Sequence, residues 1–317
     1  MKILYIYFLI INFIRRYPNL YKASLKIYGA FKKTKIKFLN NKISIQKNKK
    51  EITLNTRNIS YVKEVIDFFN FYYNSVVKNG YYTNLDFSTP QKYLLTKSRI
   101  DFELYFSSIP TPSATSKEYL EILKPTEGDV ILDLGSYCGV TVIDFLLSVG
   151  RGGFVLGVEA DMDNYNCLIK NLENFGKNHH GYNFELTNLA ISNKKDLKYF
   201  SNNKDMSSAI VGVSTELHQP KENYTIVKTT NLSNLIKKYK LNKVDIIKAD
   251  IEGSELNMLK DDEFFKNFSP RILIEPILSK GKNSIQEILP YMDKYGYKYT
   301  KFEQTGAKQP LYLFEKI

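Results

Sequence analysis

The sequence predicts an α/β protein with a doubly wound, mostly parallel sheet and a smaller α+β extension at its N-terminus. From about residue 114, short apolar runs alternate with amphipathic segments, which is the pattern of strands separated by helices in a parallel sheet. The last two strand-like runs, Tyr297–Phe302 and Leu311–Glu315, are joined by a short loop and should be antiparallel neighbours. Residues 1–112 lack this alternation. We therefore expect an accessory region over 1–112 and a separate domain over 113–317.

In the C-terminal region, apolar spacing and turn residues define each element. Gly176 should end the helix that begins at Met162, and Asp161 should cap its start. The predicted helices are Ser116–Leu123, Val140–Leu147, Met162–Phe175, Leu232–Tyr239, Ser254–Lys260 and Ser284–Tyr295. The other predicted strands are Asp129–Leu134, Phe154–Glu159, Tyr182–Ile191, Leu197–Phe200, Ala209–Val213, Thr225–Thr229, Val244–Ala249 and Arg271–Glu275.

The N-terminal region shows two kinds of periodicity. Residues 34–55 alternate between apolar and polar side chains, with breaks at Asn40-Asn41 and Asn48, and this pattern predicts small antiparallel strands. Tyr61–Val77 has apolar residues at helical spacing and predicts a helix. Residues 80–113 are rich in turn-forming residues.

The positive charge of the chain lies entirely in the N-terminal segment. The net charge is +12, but residues 1–50 hold 13 Lys and Arg and no Asp or Glu, which leaves 32 basic and 33 acidic residues elsewhere. An enzyme that acts on nucleic acid more often has basic residues around its active site, so no nucleic-acid partner is expected. A basic segment beside a neutral body fits an anionic membrane surface, or serves solubility.

Residues Ile3–Ile14 are almost wholly apolar and are followed by Arg15-Arg16. A bilayer-spanning helix needs about 20 apolar residues, and no signal-peptide cleavage site follows this run. A helix packed on the body is the first interpretation. An interfacial helix, with peripheral membrane contact through residues 1–30, is the second, and a cleaved or spanning segment is the third.

With two cysteines, Cys138 and Cys167, a cytoplasmic protein with reduced thiols is expected, possessing neither a disulfide framework nor a zinc site.

The loop after the first strand of the C-terminal domain reads Asp133-Leu134-Gly135-Ser136-Tyr137-Cys138-Gly139. In a doubly wound sheet the ligand binds beyond the carboxyl ends of the strands, and Gly135 and Gly139 allow a tight turn there. Their G-x-x-x-G spacing differs from the dinucleotide fingerprint. The carboxylate of Asp133 would repel a pyrophosphate but attract the ammonium and sulfonium groups of S-adenosylmethionine, which is the cofactor that we expect.

Further cofactor contacts are predicted at the ends of the second and third strands. Glu159, which is followed by Ala160, lies 24 residues after Gly135, where an acid accepts hydrogen bonds from ribose hydroxyls. Asn188 ends the third strand, and it either reaches the adenine edge together with Leu189 and Ala190 or is a strand-end turn residue.

Two acids, Asp250 and Glu252, follow the apolar strand Val244–Ala249. Unpartnered acids at a strand end are costly, so a catalytic role is favoured for both. Either they act as a general base for a hydroxyl, or they hold Mg²⁺. For Glu255 we favour a favourable charge in the first turn of the next helix.

These segments together resemble the FkbM family of methyltransferases over roughly residues 115–278. The most specific element is Ile247-Lys248-Ala249-Asp250-Ile251-Glu252-Gly253-Ser254-Glu255, which is similar to the family's I-K-x-D-[VI]-E-G-x-E. The resemblance implies a class I, Rossmann-like methyltransferase domain that transfers a methyl group to oxygen, often to a sugar hydroxyl of a glycan or a glycosylated natural product.

The chain departs from the family pattern at two places. The usual loop D-[VIL]-G-A-N-x-G has Ser136 and Tyr137 in place of Ala and Asn, and the usual F-E-P appears as Val158-Glu159-Ala160. Two alternatives remain open, namely an RNA methyltransferase on the same fold and a non-catalytic scaffold. The nearly neutral charge of the chain outside residues 1–50 and the absence of N/D-P-P-[YF] and Pro-Cys motifs argue against an RNA methyltransferase.

Overall fold

The computed structural model describes residues 17–75, 84–85, 89–95, 98–110, 115–201, 209–211, 224–276, 278–279, 282–304 and 309–316. The apolar run Ile3–Ile14 lies outside these residues. The chain divides into two compact units, the first formed by Met1–Thr96 with Ile109–Pro112 and the second by Lys97–Ser108 with Ser113–Ile317. No helix within the described ranges is long and apolar enough to cross a membrane.

The first unit is a small α+β structure, as predicted. It contains helices α1 (Pro18–Phe31), α2 (Val62–Asp67) and α3 (Phe69–Ser75), a 3₁₀ helix (Thr56–Tyr61), and strands β1 (Lys35–Phe38), β2 (Lys42–Lys47), β3 (Lys50–Asn55), β4 (Asn84–Leu85) and β5 (Gln91–Tyr93). Strands β1 to β4 form one sheet in chain order, in which only the β3–β4 pair is parallel. The helix predicted over Tyr61–Val77 is broken at Phe68, whose backbone leaves the helical region.

The second unit contains β6 (Leu104–Phe106) and then the alternating strands and helices. The helices are α4 (Thr115–Leu123), α5 (Val140–Val149), α6 (Met162–Asn178), α7 (Leu232–Tyr239), α8 (Glu255–Met258), α9 (Asp262–Asn267) and α10 (Ile285–Lys294). The strands are β7 (Val130–Leu134), β8 (Phe154–Glu159), β9 (Asn183–Asn188), β10 (Ala190–Ile191), β11 (Asp196–Ser201), β12 (Ala209–Val211), β13 (Tyr224–Thr230), β14 (Ile246–Ala249), β15 (Arg271–Ile274), β16 (Leu278–Ser279), β17 (Lys282–Asn283), β18 (Tyr297–Phe302) and β19 (Leu311–Lys316).

Seven of these strands form the central sheet, in the order β18-β19-β15-β14-β7-β8-β9. The pairs from β15 to β9 are parallel, whereas β19 is antiparallel to both of its neighbours. This arrangement confirms the predicted class I methyltransferase sheet, including the antiparallel strand near the C-terminus. Strands β7 and β14 lie at the centre and are apolar except for Asp133 and Lys248, because both faces of a parallel sheet are covered.

In the second unit, two predicted elements also differ clearly from the structure. Helix α6 continues through Gly176 to Asn178, because Gly176 keeps a helical backbone and Phe175 anchors that turn in the core. The strand predicted over Tyr182–Ile191 is two strands, because the chain changes partner at Leu189. Strand β9 pairs with β8, and β10 instead pairs with β13 in a smaller sheet of order β10-β13-β11-β12.

Candidate functional site

The glycine loop joins β7 to α5 at the carboxyl edge of the central sheet. Gly135 and Gly139 adopt the left-handed backbone, with φ of +77° and +89°. A Cβ on Gly135 would lie 1.8 Å from the carbonyl oxygen of Asp250, and one on Gly139 would lie 2.5 Å from Leu168 Cδ1. Both glycines are therefore required by backbone conformation and by space, and Gly135 packs the glycine loop directly against the loop that carries Asp250.

Ser136, which replaces the usual alanine, braces this loop. Its buried hydroxyl donates to the Asp133 carbonyl oxygen at 2.7 Å and accepts from the Val158 N–H at 3.0 Å. The N–H groups of Gly135 and Ser136 also donate to the Val158 carbonyl oxygen. The serine is thus a structural link between the loop and β8.

Tyr137, the most unexpected residue of the loop, is held at both ends. Its backbone has φ +49°, and its N–H donates to Glu159 Oε2 at 2.8 Å. Its hydroxyl is hydrogen-bonded to Ser108 Oγ at 2.6 Å, and its ring centroid lies 6.1 Å from that of Phe106. Residues of the same unit that precede the predicted methyltransferase domain therefore provide the place for this side chain.

Glu159 ends β8 with a buried carboxylate beside the loop. Oε2 accepts from Tyr137 N–H, and Oε1 accepts from Asp161 N–H at 2.8 Å. Burial raises the pKa of Glu159 to about 7 despite these hydrogen bonds. The Asn164 side chain is a third hydrogen-bond partner, and because each carboxylate oxygen can accept two hydrogen bonds, the carboxylate keeps capacity for a ligand hydroxyl.

Asp133, predicted as a cofactor contact, points away from the cavity. Its carboxylate is fully buried, accepts from Thr141 Oγ1 and lies 3.4 Å from Lys248 Nζ. Lys248 and Thr141 offset part of the cost of burying this charge, but burial still raises the pKa of Asp133. The predicted attraction of Asp133 for a cationic cofactor stays a prediction that this geometry does not support.

Lys248 is a central residue of the site that sequence reasoning left without a role. Its Nζ donates to the Gly135 carbonyl oxygen at 2.7 Å and lies 3.9 Å from Asp250 Oδ2. Burial alone would lower the pKa of Lys248, but the negative charges of Asp133, Asp250 and Glu275 outweigh burial and raise it. The signal was present in the sequence, since a lysine inside the apolar strand β14 needs a buried partner.

A third carboxylate, Glu275, follows β15 on the other side of Lys248. It accepts hydrogen bonds from Tyr119 Oη at 2.9 Å and from Gln304 Nε2 at 3.0 Å. Burial, followed by the charge of Asp250, raises the pKa of Glu275. Asp133, Lys248, Asp250 and Glu275 thus form a charged cluster across the ends of three neighbouring strands.

Asp250 and Glu252, the predicted catalytic residues, both line the cavity. The Asp250 side chain is 33% exposed, and its N–H donates to the Leu134 carbonyl oxygen at 3.1 Å. Glu252 has a left-handed backbone with φ +50°, and Gly253 follows with φ +96°. This sharp turn after β14 directs the chain across the end of the sheet, next to the glycine loop.

Glu255 has a larger role than the favourable helix-terminal charge that we expected. It does begin α8, but its side chain is buried, and Oε1 accepts from the N–H groups of Ile251 and Gly253 at 3.2 and 3.3 Å. Burial raises its pKa to about 7. Glu255 therefore clamps the loop that carries Asp250 and Glu252, which explains an acid at the last position of the motif.

The structure uses Asn188 to connect strand ends. Its Nδ2 donates to the carbonyl oxygens of Glu159 and Ala160, both at 2.9 Å. Its amide donor is therefore engaged with the backbone, in agreement with the strand-end interpretation. Leu189 and Ala190, by contrast, lie on the cavity wall.

One cavity at this edge brings most of the predicted residues together. The predicted residues on its wall are Gly135, Tyr137, Glu159, Ala160, Leu189, Ala190, Asp250 and Glu252. Four predicted residues, namely Asp133, Ser136, Gly139 and Asn188, support the wall from behind. Sequence reasoning missed five further wall residues: Val158, Asn164, Ile191, Ile251 and Ser254. Three of these are direct sequence neighbours of predicted residues, and Ser254 lies two residues after Glu252, whereas Asn164 reaches the cavity from the first turn of α6.

No group of three or more His, Cys, Asp or Glu side chains in the described part of the chain is arranged to hold a metal ion. The Mg²⁺ suggested at Asp250 and Glu252 therefore gains no support from the side-chain arrangement.

Comparison with solved structures finds methyltransferases of low sequence identity. An FkbM methyltransferase from Methylobacillus flagellatus is 15% identical with a TM-score of 0.45, and the match covers 82% of this chain and 55% of that one. An S-adenosylmethionine-dependent O-methyltransferase from Thermotoga maritima is 13% identical with a TM-score of 0.38, and the match covers 65% of each chain. This chain spans about half the length of the Methylobacillus protein.

Comparison at the sequence level is more decisive. A search of curated proteins finds no match. The family model described as the methyltransferase FkbM domain matches residues 133–299, more than half of the chain, including the glycine loop and the Asp250 loop. The chain belongs to the FkbM family of S-adenosylmethionine-dependent methyltransferases.

Proposed function

We propose that this protein transfers a methyl group from S-adenosylmethionine to a hydroxyl oxygen, and that the acceptor is a sugar of a glycan or of a glycosylated lipid or natural product. The observation that carries the proposal is the placement of Asp250. Its carbonyl oxygen packs on Gly135 of the glycine loop, while its partly exposed carboxylate lines the same cavity. A proton acceptor thus lies beside the cofactor loop, where a hydroxyl acceptor would need it.

The cavity has the chemistry that S-adenosylmethionine requires. The carboxylate of Glu159 has free acceptor capacity for ribose hydroxyls. Val158, Leu189 and Ile191 provide apolar wall for the faces of an adenine ring. The carboxylates of Asp250 and Glu252 add negative charge, which favours a cationic ligand over a pyrophosphate.

When bound, S-adenosylmethionine supplies an activated methyl group on a sulfonium leaving group. The residues of this chain then have two tasks, which are to align an acceptor oxygen and to remove its proton. We assign the proton to Asp250, because its carboxylate is partly exposed in the cavity, whereas that of Glu159 is buried and already accepts a hydrogen bond from the glycine loop. Lys248 on its buried side and the clamp from Glu255 hold the loop of Asp250 in place.

The replacement Asp250→Asn tests this assignment. We expect the variant to bind S-adenosylmethionine with nearly unchanged affinity in isothermal titration, because the amide keeps the shape of the side chain. Turnover should fall by about 10²- to 10⁴-fold, which is the usual contribution of a general base. The assay is transfer of a tritiated methyl group to a panel of sugar glycosides, nucleotide sugars and extracted glycolipids.

The control is Glu303→Gln, which alters an exposed carboxylate outside the cavity and should leave both measurements unchanged. Simultaneous loss of binding and turnover in Asp250→Asn would make Asp250 a cofactor ligand and would contradict the assignment. Methylation of total RNA, but of no sugar, would favour an RNA methyltransferase. No binding of cofactor by the native protein would favour a scaffold.

We further propose that the enzyme works in the cytoplasm, at or near the inner face of the membrane, with no nucleic-acid partner. The neutral charge of residues 51–317 supports the absence of a nucleic-acid surface at the site. Mg²⁺ dependence is checked by adding EDTA to the methyl-transfer assay.

A further inference from the structure

Helix α1 of the first unit presents apolar side chains to solvent. Leu20, Ile27 and Phe31 are 47%, 60% and 83% exposed, and the exposed Ala23 lies between them on the same face at 100° per residue. The opposite side of the helix buries Leu25 and Gly29 in the unit's own core. A surface helix normally turns one apolar stripe inward and a polar face outward, so this outward apolar stripe is unusual.

The charged residues of this helix and of the segment that follows it, up to Lys50, are all basic. Helix α1 contains no acidic residue and includes the exposed Lys26, and further exposed lysines follow it closely: Lys32, Lys33, Lys35, Lys37 and Lys42. Lys32 has an acidic neighbour, Asp67 at 3.5 Å, but half of its side chain stays exposed. We call the stripe of Leu20, Ala23, Ile27 and Phe31, with these lysines, the basic-apolar surface.

We propose that the basic-apolar surface binds an anionic lipid bilayer, with α1 lying in the interface. Apolar side chains would enter the acyl boundary while the lysines contact lipid phosphates, which is the arrangement of interfacial amphipathic helices. Phe31 is the most exposed of these apolar side chains, and the aliphatic Leu20 and Ile27 on the same face favour acyl chains over the bases of a nucleic acid. This inference concerns a separate surface and does not depend on the identity of the methyl acceptor.

The sequence before α1 also fits binding to an anionic lipid bilayer. Ile3–Ile14 is almost wholly apolar and Arg15-Arg16 follow it, directly before Tyr17, the N-cap of α1, so the sequence before α1 has the same two properties. Each lysine near an anionic surface strengthens binding by about fivefold, so several together give a salt-sensitive attraction. The apolar stripe adds a contribution that salt does not screen.

Vesicle flotation of the full chain tests the proposal. The native protein should float with phosphatidylcholine vesicles that contain phosphatidylglycerol, and much less with phosphatidylcholine alone. Replacing both Ile27→Glu and Phe31→Glu should weaken binding on the order of 100-fold, because two apolar side chains no longer enter the bilayer. Both positions are exposed, so the variant should have the same melting temperature as the native protein. Circular dichroism during heating checks this.

The matched control is the double variant Leu197→Glu and Ile226→Glu, which places the same charge at two exposed apolar positions of the second unit, 60% and 64% accessible. It should float like the native protein. Equal flotation of the α1 double variant and the native protein would overturn the proposal, since residues 1–16 would then suffice. Binding that ignores lipid charge would also overturn it, as would a native dimer in sedimentation that the α1 double variant dissociates.

Discussion

At the scale of single residues, the protonation state of Glu159 should affect the affinity for the cofactor. Burial raises its pKa to about 7, so the free protein is a mixture of neutral and charged forms near neutral pH. In the binding mode that we propose, ribose hydroxyls donate to the charged form of Glu159, and the sulfonium is attracted to it. Binding therefore selects ionised Glu159, and protons compete with the cofactor.

We expect the affinity for S-adenosylmethionine to rise about tenfold between pH 6 and pH 8, because the ionised fraction of a group with this pKa rises by that factor. Isothermal titration at the two pH values measures the effect. Glu159→Gln should bind weakly and show no such pH dependence. Glu173→Gln, at an exposed position of α6, should behave like the native protein. A native affinity that is equal at both pH values would contradict this role of Glu159.

Residue-scale geometry also explains the departures from the family pattern. Ser136 exchanges hydrogen bonds with β7 and β8, and Tyr137 is tied to Ser108 and Glu159. Neither substitution removes a cavity carboxylate. The two side chains that depart from the family pattern therefore hold the loop in place, while the two glycines of the pattern are kept.

At the scale of elements, the site depends on the contact between two loops at the ends of β7 and β14. Gly135 touches the backbone of Asp250, Lys248 reaches back to Gly135, and Glu255 fixes the second loop. The loops meet because β7 and β14 are parallel neighbours in register, with Asp133 opposite Lys248 and Leu134 opposite Ala249.

This contact predicts different costs for two glycine substitutions. Gly135→Ala places a Cβ 1.8 Å from the Asp250 carbonyl oxygen, so we expect about 3–5 kcal/mol of destabilisation and loss of cofactor binding. Gly128→Ala has a similar positive φ but open space around the Cβ, and should cost about 1–2 kcal/mol with binding intact. Urea unfolding and titration with S-adenosylmethionine measure both; equal costs would rule out the steric explanation.

At the scale of the whole molecule, two buried acids make stability fall as pH rises. Glu159 and Glu255 both have folded-state pKa values of about 7, above the usual value of 4.5. The folded protein therefore holds more protons than the unfolded chain between these values. The resulting stability is complete below about pH 4.5 and is lost as pH rises through 7.

We expect the native free energy of unfolding to decrease by an amount on the order of 2 kcal/mol per buried acid from pH 5 to pH 8. Glu255→Gln should reduce this decrease by roughly half, because an amide oxygen still accepts from the Ile251 and Gly253 N–H groups but has no charge to bury. Urea unfolding at both pH values measures it, with Glu173→Gln as the control. A native stability that is constant or rising over this range would contradict the prediction.

The sequence by itself determined the class of the protein. Alternation of apolar strands and amphipathic helices predicted the sheet and its antiparallel strand, since periodicity is a local property. The glycine spacing, the acids at the end of β8 and after β14, and the end of the third strand predicted eight residues of the cavity wall. These features can be recognised in the sequence because each depends on a local element, either the end of a strand or a tight turn.

Only the tertiary structure decided which acid faces the cavity and which is buried. Asp133 and Glu159 both end or nearly end a parallel strand, yet Asp133 turns to Lys248 from the neighbouring strand while Glu159 lines the cavity. The roles of Lys248 and Ser108 depend on partners that are distant in the sequence. The role of Glu255 depends on backbone N–H groups of the turn that precedes it. The direction of a side chain and the neighbour that compensates its charge are set by packing, which sequence periodicity does not encode.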